Sequence, residues 1–188
     1  MQTRKDFLTA TGTGATLAMV DPRALENAAE QPFRHRQVFA ARGADAQALL
    51  NEMTNSLDVY EHDLGEGPGT LHVAAVLYGS AVIVGLDNAA WSRYRLAARI
   101  ARADATNPFA AQVAELEARH ASFFVCNKAL IGIALSIFNA TPNQTHTADD
   151  VLGDLQAHVL PNVVIVPAGV AALNALQEAK FTFVQASL

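Results

Sequence analysis

Cys126 is the only cysteine in the chain, and it stands where α/β proteins place their chemistry. Ala121-Ser122-Phe123-Phe124-Val125-Cys126 reads as a short buried strand, and Asn127-Lys128-Ala129-Leu130-Ile131-Gly132 as the start of a helix. A thiol at a strand's carboxyl end, facing a helix N-terminus, lies on the edge where open α/β sheets bind ligands. Unpaired N–H groups and the positive end of the helix dipole favour thiolate there, and Lys128 adds a second positive charge. A free cysteine also serves as a small buried hydrophobe, so position alone leaves a structural role open.

Two further strand-to-helix junctions fall on the same edge of a parallel sheet: Tyr78-Gly79-Ser80 and Pro167-Ala168-Gly169. Gly79 and Gly169 permit close backbone approach to a ligand, although ordinary turn chemistry explains each glycine taken alone. Tyr78, Gly79, Ser80, Asn127, Lys128, Pro167 and Gly169 are therefore the candidate ligand-binding residues around Cys126. Ser80 lacks the Gly-x-Ser-x-Gly setting of a hydrolase nucleophile. The glycines at 65, 67 and 69 lack the Gly-Lys-Ser/Thr ending of a phosphate loop. His35, His62, His72, His120, His146 and His158 form no metal-binding motif, so no metal site is expected and no cofactor is implied. His120 stands at the far end of the Cys126 strand and is a poor base for its thiol. Arg95, Arg99 and Arg102 share a helical face, with Arg93 close by. A solvated face is the usual reading, and an anion or partner contact the functional one. Trp91 and Tyr94, on the same helix, suit the core or a subunit interface.

These residues need elements to hold them. Gln37 to Ala41 is a short strand, and Asp45 to Tyr60 a helix with Ala48, Leu49, Met53 and Leu57 on roughly one face. The glycine cluster at 65–69 breaks it. Leu71 to Tyr78 is apolar without alternation, the mark of a strand buried on both faces. Ala81 to Leu86 is helix or strand, and periodicity does not decide. Asn88 to Ala103 is helical. Asn107 and Pro108 open another helix, as cap and first helical residue, running to about His120. The helix after Cys126 reaches about Phe138, and Thr141 to His146 is a polar loop. Thr147-Ala148-Asp149-Asp150 starts a helix in capping-box fashion. Asn162 to Val166 is a strand stopped by Pro167, Ala168 to Ala179 a helix, and Phe181 to Val184 a last strand. Alternating strands and helices predict an α/β fold: a mostly parallel sheet of about five strands covered on both faces.

The totals limit what such a domain does. A chain of 188 residues with 51% hydrophobic and 16% charged side chains forms one globular domain rather than a disordered segment. A net charge of −5 disfavours a nucleic-acid footprint. One cysteine excludes an intramolecular disulfide and a cysteine-rich zinc site. Residues 1–29 differ from the rest. Thr3-Arg4-Lys5-Asp6-Phe7-Leu8 is followed by a weakly apolar run to Val20 and an alanine-containing stretch ending near Ala29. That order is the order of an export signal. It resembles the twin-arginine type, with Lys5 in place of the second arginine, and implies a periplasmic or exported location. The apolar run is shorter than the roughly 20 residues of a stable membrane span. Residues 1–29 carry three basic and three acidic side chains, so the acidity belongs to the domain at 30–188.

Phe123-Phe124-Val125-Cys126-Asn127-Lys128-Ala129-Leu130 resembles the cysteine segment of the DsrE/DsrF-like proteins. Leu160 to Leu173, with Val166-Pro167-Ala168-Gly169-Val170 at its centre, resembles that family's C-terminal signature. His72 to Ser80 matches its strand ending in a glycine turn. Together these cover most of residues 36–188. Asn127, Lys128 and Lys180 depart from the usual pattern and leave the sub-branch open. The resemblance implies a flavodoxin-like three-layer fold and a symmetric homo-oligomer, often a trimer or hexamer. In the sulfur-relay members it implies a cysteine carrying sulfur as a persulfide, received from or passed to a partner protein or small donor. The alternative is a module that binds a small ligand or assembles, with no sulfur chemistry, because fold does not fix function.

Overall fold

A computed structural model describes residues 25, 32–43, 46–140 and 146–185. The expected export segment therefore lies outside the described residues, apart from Leu25. Five parallel strands form one sheet: β1 (His35–Ala41), β2 (Leu71–Leu77), β3 (Ala121–Cys126), β4 (Val164–Val166) and β5 (Thr182–Gln185). Their order is β4-β3-β2-β1-β5. The helices are α1 (Ala46–Asp58), α2 (Asn88–Tyr94), α3 (Ala110–Ala118), α4 (Asn127–Ala140), α5 (Ala148–Ala157) and α6 (Gly169–Glu178). The result is the expected three-layer, flavodoxin-like α/β architecture.

Chain order explains the layers. From β1 to β4 each strand lies beside its predecessor, so the right-handed crossover rule puts the intervening helices on one face. The connection from β4 to β5 runs back past three strands to the far side of β1, which puts α6 on the other face. The core divides accordingly. Phe39, Val73, Ala75, Phe123 and Val125 pack towards α1, α3 and α4 with Leu49, Met53, Val113, Leu116 and Ile133. Val38, Ala74, Val76 and Phe124 pack towards Ala172 and Leu176 of α6 and towards Phe181, with Leu25 half-buried against them. All seven residues of β2 are buried, as its unbroken apolar run requires.

One open reading is resolved and three local expectations change. The apolar run after Tyr78 is a 3₁₀ segment, Gly79–Gly85. The helix expected over 88–103 stops at Tyr94, because Arg95 adopts the left-handed conformation (φ 48°, ψ 47°), and a 3₁₀ turn, Leu96–Ile100, follows. The helix expected to open at Asn107–Pro108 begins at Ala110. Asn107 does more than cap it. Its Nδ2 donates to the carbonyls of Val84 and Leu86, and its Oδ1 accepts from Phe109 N. Finally, Asn162 is left-handed at φ 66°, which shortens the strand expected from that residue. The capping box is as expected: Thr147 and Asp150 each accept from the other's backbone N–H at the start of α5. Among the described residues no helix is long and apolar enough to cross a membrane.

Candidate functional site

Register brings the junctions together. Leu77 lies between Ala41 and Val125, and Cys126 pairs with Val166. One residue further along, the chain leaves β1 at Arg42, β2 at Tyr78, β3 at Cys126 and β4 at Pro167. These four exits form the carboxyl edge of the sheet.

Cys126 is the last residue of β3, and α4 begins at the next residue. It is 6% exposed. The start of α6 covers it. A Cβ built on Gly169 would stand 3.0 Å from Tyr78 Cβ and 3.4 Å from Cys126 Cβ. Only a residue without a side chain lets the helix N-terminus come this close. Gly169 therefore lies close against two other predicted site residues, Tyr78 and Cys126. α4 starts directly after Cys126, and the start of α6 lies against its Cβ. Ala168 offers no side chain to cap α6.

The other predicted residues divide. Gly79 turns the chain at φ 59°, and a Cβ there would meet the carbonyl oxygen of Arg42 at 2.6 Å. This glycine is required by backbone approach rather than by a ligand. Ser80 Oγ faces the same carbonyl at a long 3.4 Å, which matches its lack of a hydrolase setting. Asn127 Oδ1 accepts from Gln156 Nε2 at 2.8 Å, tying the start of α4 to the end of α5. That acceptor is committed to structure. Pro167 is half-buried beside the cluster, while Lys128 and Arg42 are exposed. The exits 41–43, 78–80, 126–128 and 166–169 carry two cations and no carboxylate. In a chain of net charge −5, this edge is locally positive.

Two titratable clusters lie elsewhere. Asp87 caps α2 by accepting from Ala90 N, and its other oxygen meets His158 Nδ1 at 2.9 Å. Burial alone pushes the Asp87 carboxyl up, but the Ala90 N–H and the His158 ring outweigh it and hold it below the ordinary range. Next to it, Asp154 accepts from Arg93 and from Tyr94 Oη. Burial, then the Asp154 carboxylate, pushes the Tyr94 hydroxyl up to about 12. The network fastens the end of α5 to α2. The second cluster escaped the sequence reading. Ligand atoms of Asp58, Glu61 and His62 lie within 4.8 Å of one another. Their Asp-x-x-Glu-His spacing was the available signal, and the π-helical turn Val59–Asp63 that follows α1 brings them together. Arg119 already bonds Asp58 Oδ1 at 2.6 Å and Glu61 Oε2 at 2.9 Å, so these carboxylates have an internal cation.

His120, left-handed at φ 66°, precedes β3 at the opposite edge from Cys126. It is no base for the thiol, as the sequence indicates.

No family model matches the chain, and no curated protein matches it. Among solved structures, one of MTH1491, a protein of unknown function from Methanobacterium thermoautotrophicum, is similar with a TM-score of 0.47 and 17% identity, over 80% of this chain and 98% of that one.

Proposed function

We propose that this protein handles sulfane sulfur through Cys126, as the resemblance to the DsrE/DsrF-like proteins implies. The observation that supports it is a thiol at the carboxyl edge of the sheet, where α4 starts at the next residue and Gly169 at the start of α6 comes against its Cβ. Open α/β sheets bind their ligands along this edge. The step is a displacement. The Cys126 thiolate attacks the terminal sulfur of a polysulfide, an S–S bond of the donor breaks, and the donor leaves as the chain shortened by one sulfur. Cys126 then carries a persulfide, and an incoming thiolate takes the outer sulfur and returns the thiolate. No resolving cysteine is needed, since donor and acceptor come from outside. We place this chemistry in an exported homo-oligomer, a trimer or hexamer, that meets a donor or acceptor protein.

The test is intact mass spectrometry after exposure to polysulfide, with Cys126→Ser alongside. The expected result is a gain of one sulfur on the wild type alone, removed by reductant. Absence of the adduct would sink the proposal.

The 6% exposure of Cys126 favours a second reading, a binding module in which the thiol only lines the edge. That reading predicts slow alkylation of native protein, and a Cys126→Ser variant with unchanged assembly and ligand binding.

A further inference from the structure

The arginines of the interrupted helix meet different fates. Arg93 pairs with Asp154, and Arg99 donates to Ser136 Oγ at 3.0 Å. Arg102 bonds Asp104 at 2.5 Å, with its guanidinium over the Phe109 ring at 5.5 Å. Arg95 differs: among the described residues its side chain has neither a hydrogen bond nor an ion pair. It borders a hollow of about 290 Å³ whose lining includes Trp91, Ala97, Ala98, Arg102 and Asp104.

The backbone makes this hollow. Arg95 at φ 48° and Ala101 at φ 54° are both left-handed, and neither is glycine. Together they fold the 3₁₀ turn Leu96–Ile100 back beside α2. Left-handed alanine and arginine are unfavourable conformations, kept only where the surroundings impose them.

We propose that this hollow binds a small organic monoanion, a carboxylate on a compact apolar or aromatic body, with Arg95 as the partner of the charge. The charges lining it fix the valence. Arg95 and Arg102 bring two positive charges and Asp104 one negative, a net of one. Arg102 is held by Asp104, which leaves Arg95 to meet the guest. Asp104 also repels a second negative charge. Exposed alanine side chains supply apolar wall, with the buried Trp91 behind them. The volume lies at the small end of ligand sites, which run from roughly 300 Å³ upward, and it suits a guest of benzoate size.

Trp91 is the only tryptophan in the chain, so its fluorescence reports binding directly. The full chain is titrated with 4-fluorobenzoate and, separately, with the uncharged 4-fluorobenzamide, following Trp91 emission and ¹⁹F line width. Saturable binding of the acid is expected, with the amide weaker by about tenfold or more, because the amide forfeits a charge-assisted hydrogen bond. Arg95→Asn, which tolerates the left-handed backbone, should weaken the acid by a similar factor. Arg95→Lys should retain most of the affinity. Non-saturable binding of the acid, equal affinity for acid and amide, or wild-type affinity in Arg95→Asn would each overturn the proposal. The acid–amide comparison needs no variant, so it decides even if substitution at Arg95 disturbs folding.

Discussion

Gly169 is the residue on which the candidate site depends most directly. Its absent side chain lets α6 rest on Tyr78 and Cys126. In Gly169→Ala the new methyl meets Tyr78 Cβ at 3.0 Å, where real contacts are almost never tighter. Tyr78 and the helix must separate slightly to admit it. We expect a loss of about 1–2 kcal/mol, as for overpacking elsewhere, read from urea denaturation. Alkylation of Cys126 in native protein should become faster. Unchanged stability and an unchanged alkylation rate would mean that α6 does not cover the thiol. Gly132 provides the contrast. It lies inside α4 with nothing within 4 Å of a built Cβ, so Gly132→Ala should stabilise by about 0.5–1 kcal/mol through helix propensity alone. Residue identity made Cys126, Gly79 and Gly169 visible in the sequence, because strand-end positions follow from the apolar runs before them. It did not reveal what each would touch. Gly79 answers to the Arg42 carbonyl and Asn127 to Gln156, long-range contacts that no local pattern encodes.

Elements were legible where one local rule decided them. The unbroken run of β2 and the Thr147–Asp150 capping box needed no tertiary information. The segment 79–85 resisted because every residue from Ala81 to Gly85 is buried, so no periodicity separates helix from strand. The break at Arg95 was invisible, since no glycine, proline or asparagine marks it. Asn107 shows how elements are locked to one another. Its side-chain amide holds the carbonyls of Val84 and Leu86 and its own carbonyl oxygen holds the N–H of Phe109, all in a site 6% exposed. Asn107→Ala leaves two buried acceptors and one donor without partners, so a loss of about 2–4 kcal/mol is expected in chemical denaturation. A loss below 1 kcal/mol, on the order of one ordinary hydrogen bond, would mean that water replaces the amide. The cap of α2 adds a pH dependence. The Asp87 carboxyl is held below its ordinary value of 3.8, so its folded pKa is depressed. Such a group contributes stability that is present above the unfolded value and lost as pH falls through the folded one. Asp87→Asn should therefore weaken the acid dependence of unfolding below pH 3.8. Parallel curves for wild type and variant over the acid range would contradict the assignment.

For the whole molecule, composition and alternating elements foretold a parallel α/β sheet, but strand order depends on crossovers that sequence does not record. The observed order leaves the two faces unequal. One face carries α1 to α5 with the buried Trp91, whose indole N–H donates to the Ile83 carbonyl at 2.7 Å. The other carries α6, with Leu25 also packed against its core. A layer held by fewer contacts opens at lower free energy than the whole domain. Cys126 lies at the boundary, packed with the larger core yet touched by α6. We therefore expect its alkylation rate to rise gently with urea well before the main transition, with a slope below that of global unfolding. Trp91 emission should stay constant over the same range. A thiol that becomes reachable when α6 lifts can exchange sulfur with a partner without unfolding the domain. If the alkylation slope instead equals the global one, the thiol opens only with the whole molecule. Sulfur carriage by the native chain would then be ruled out, and Cys126 would be part of the core.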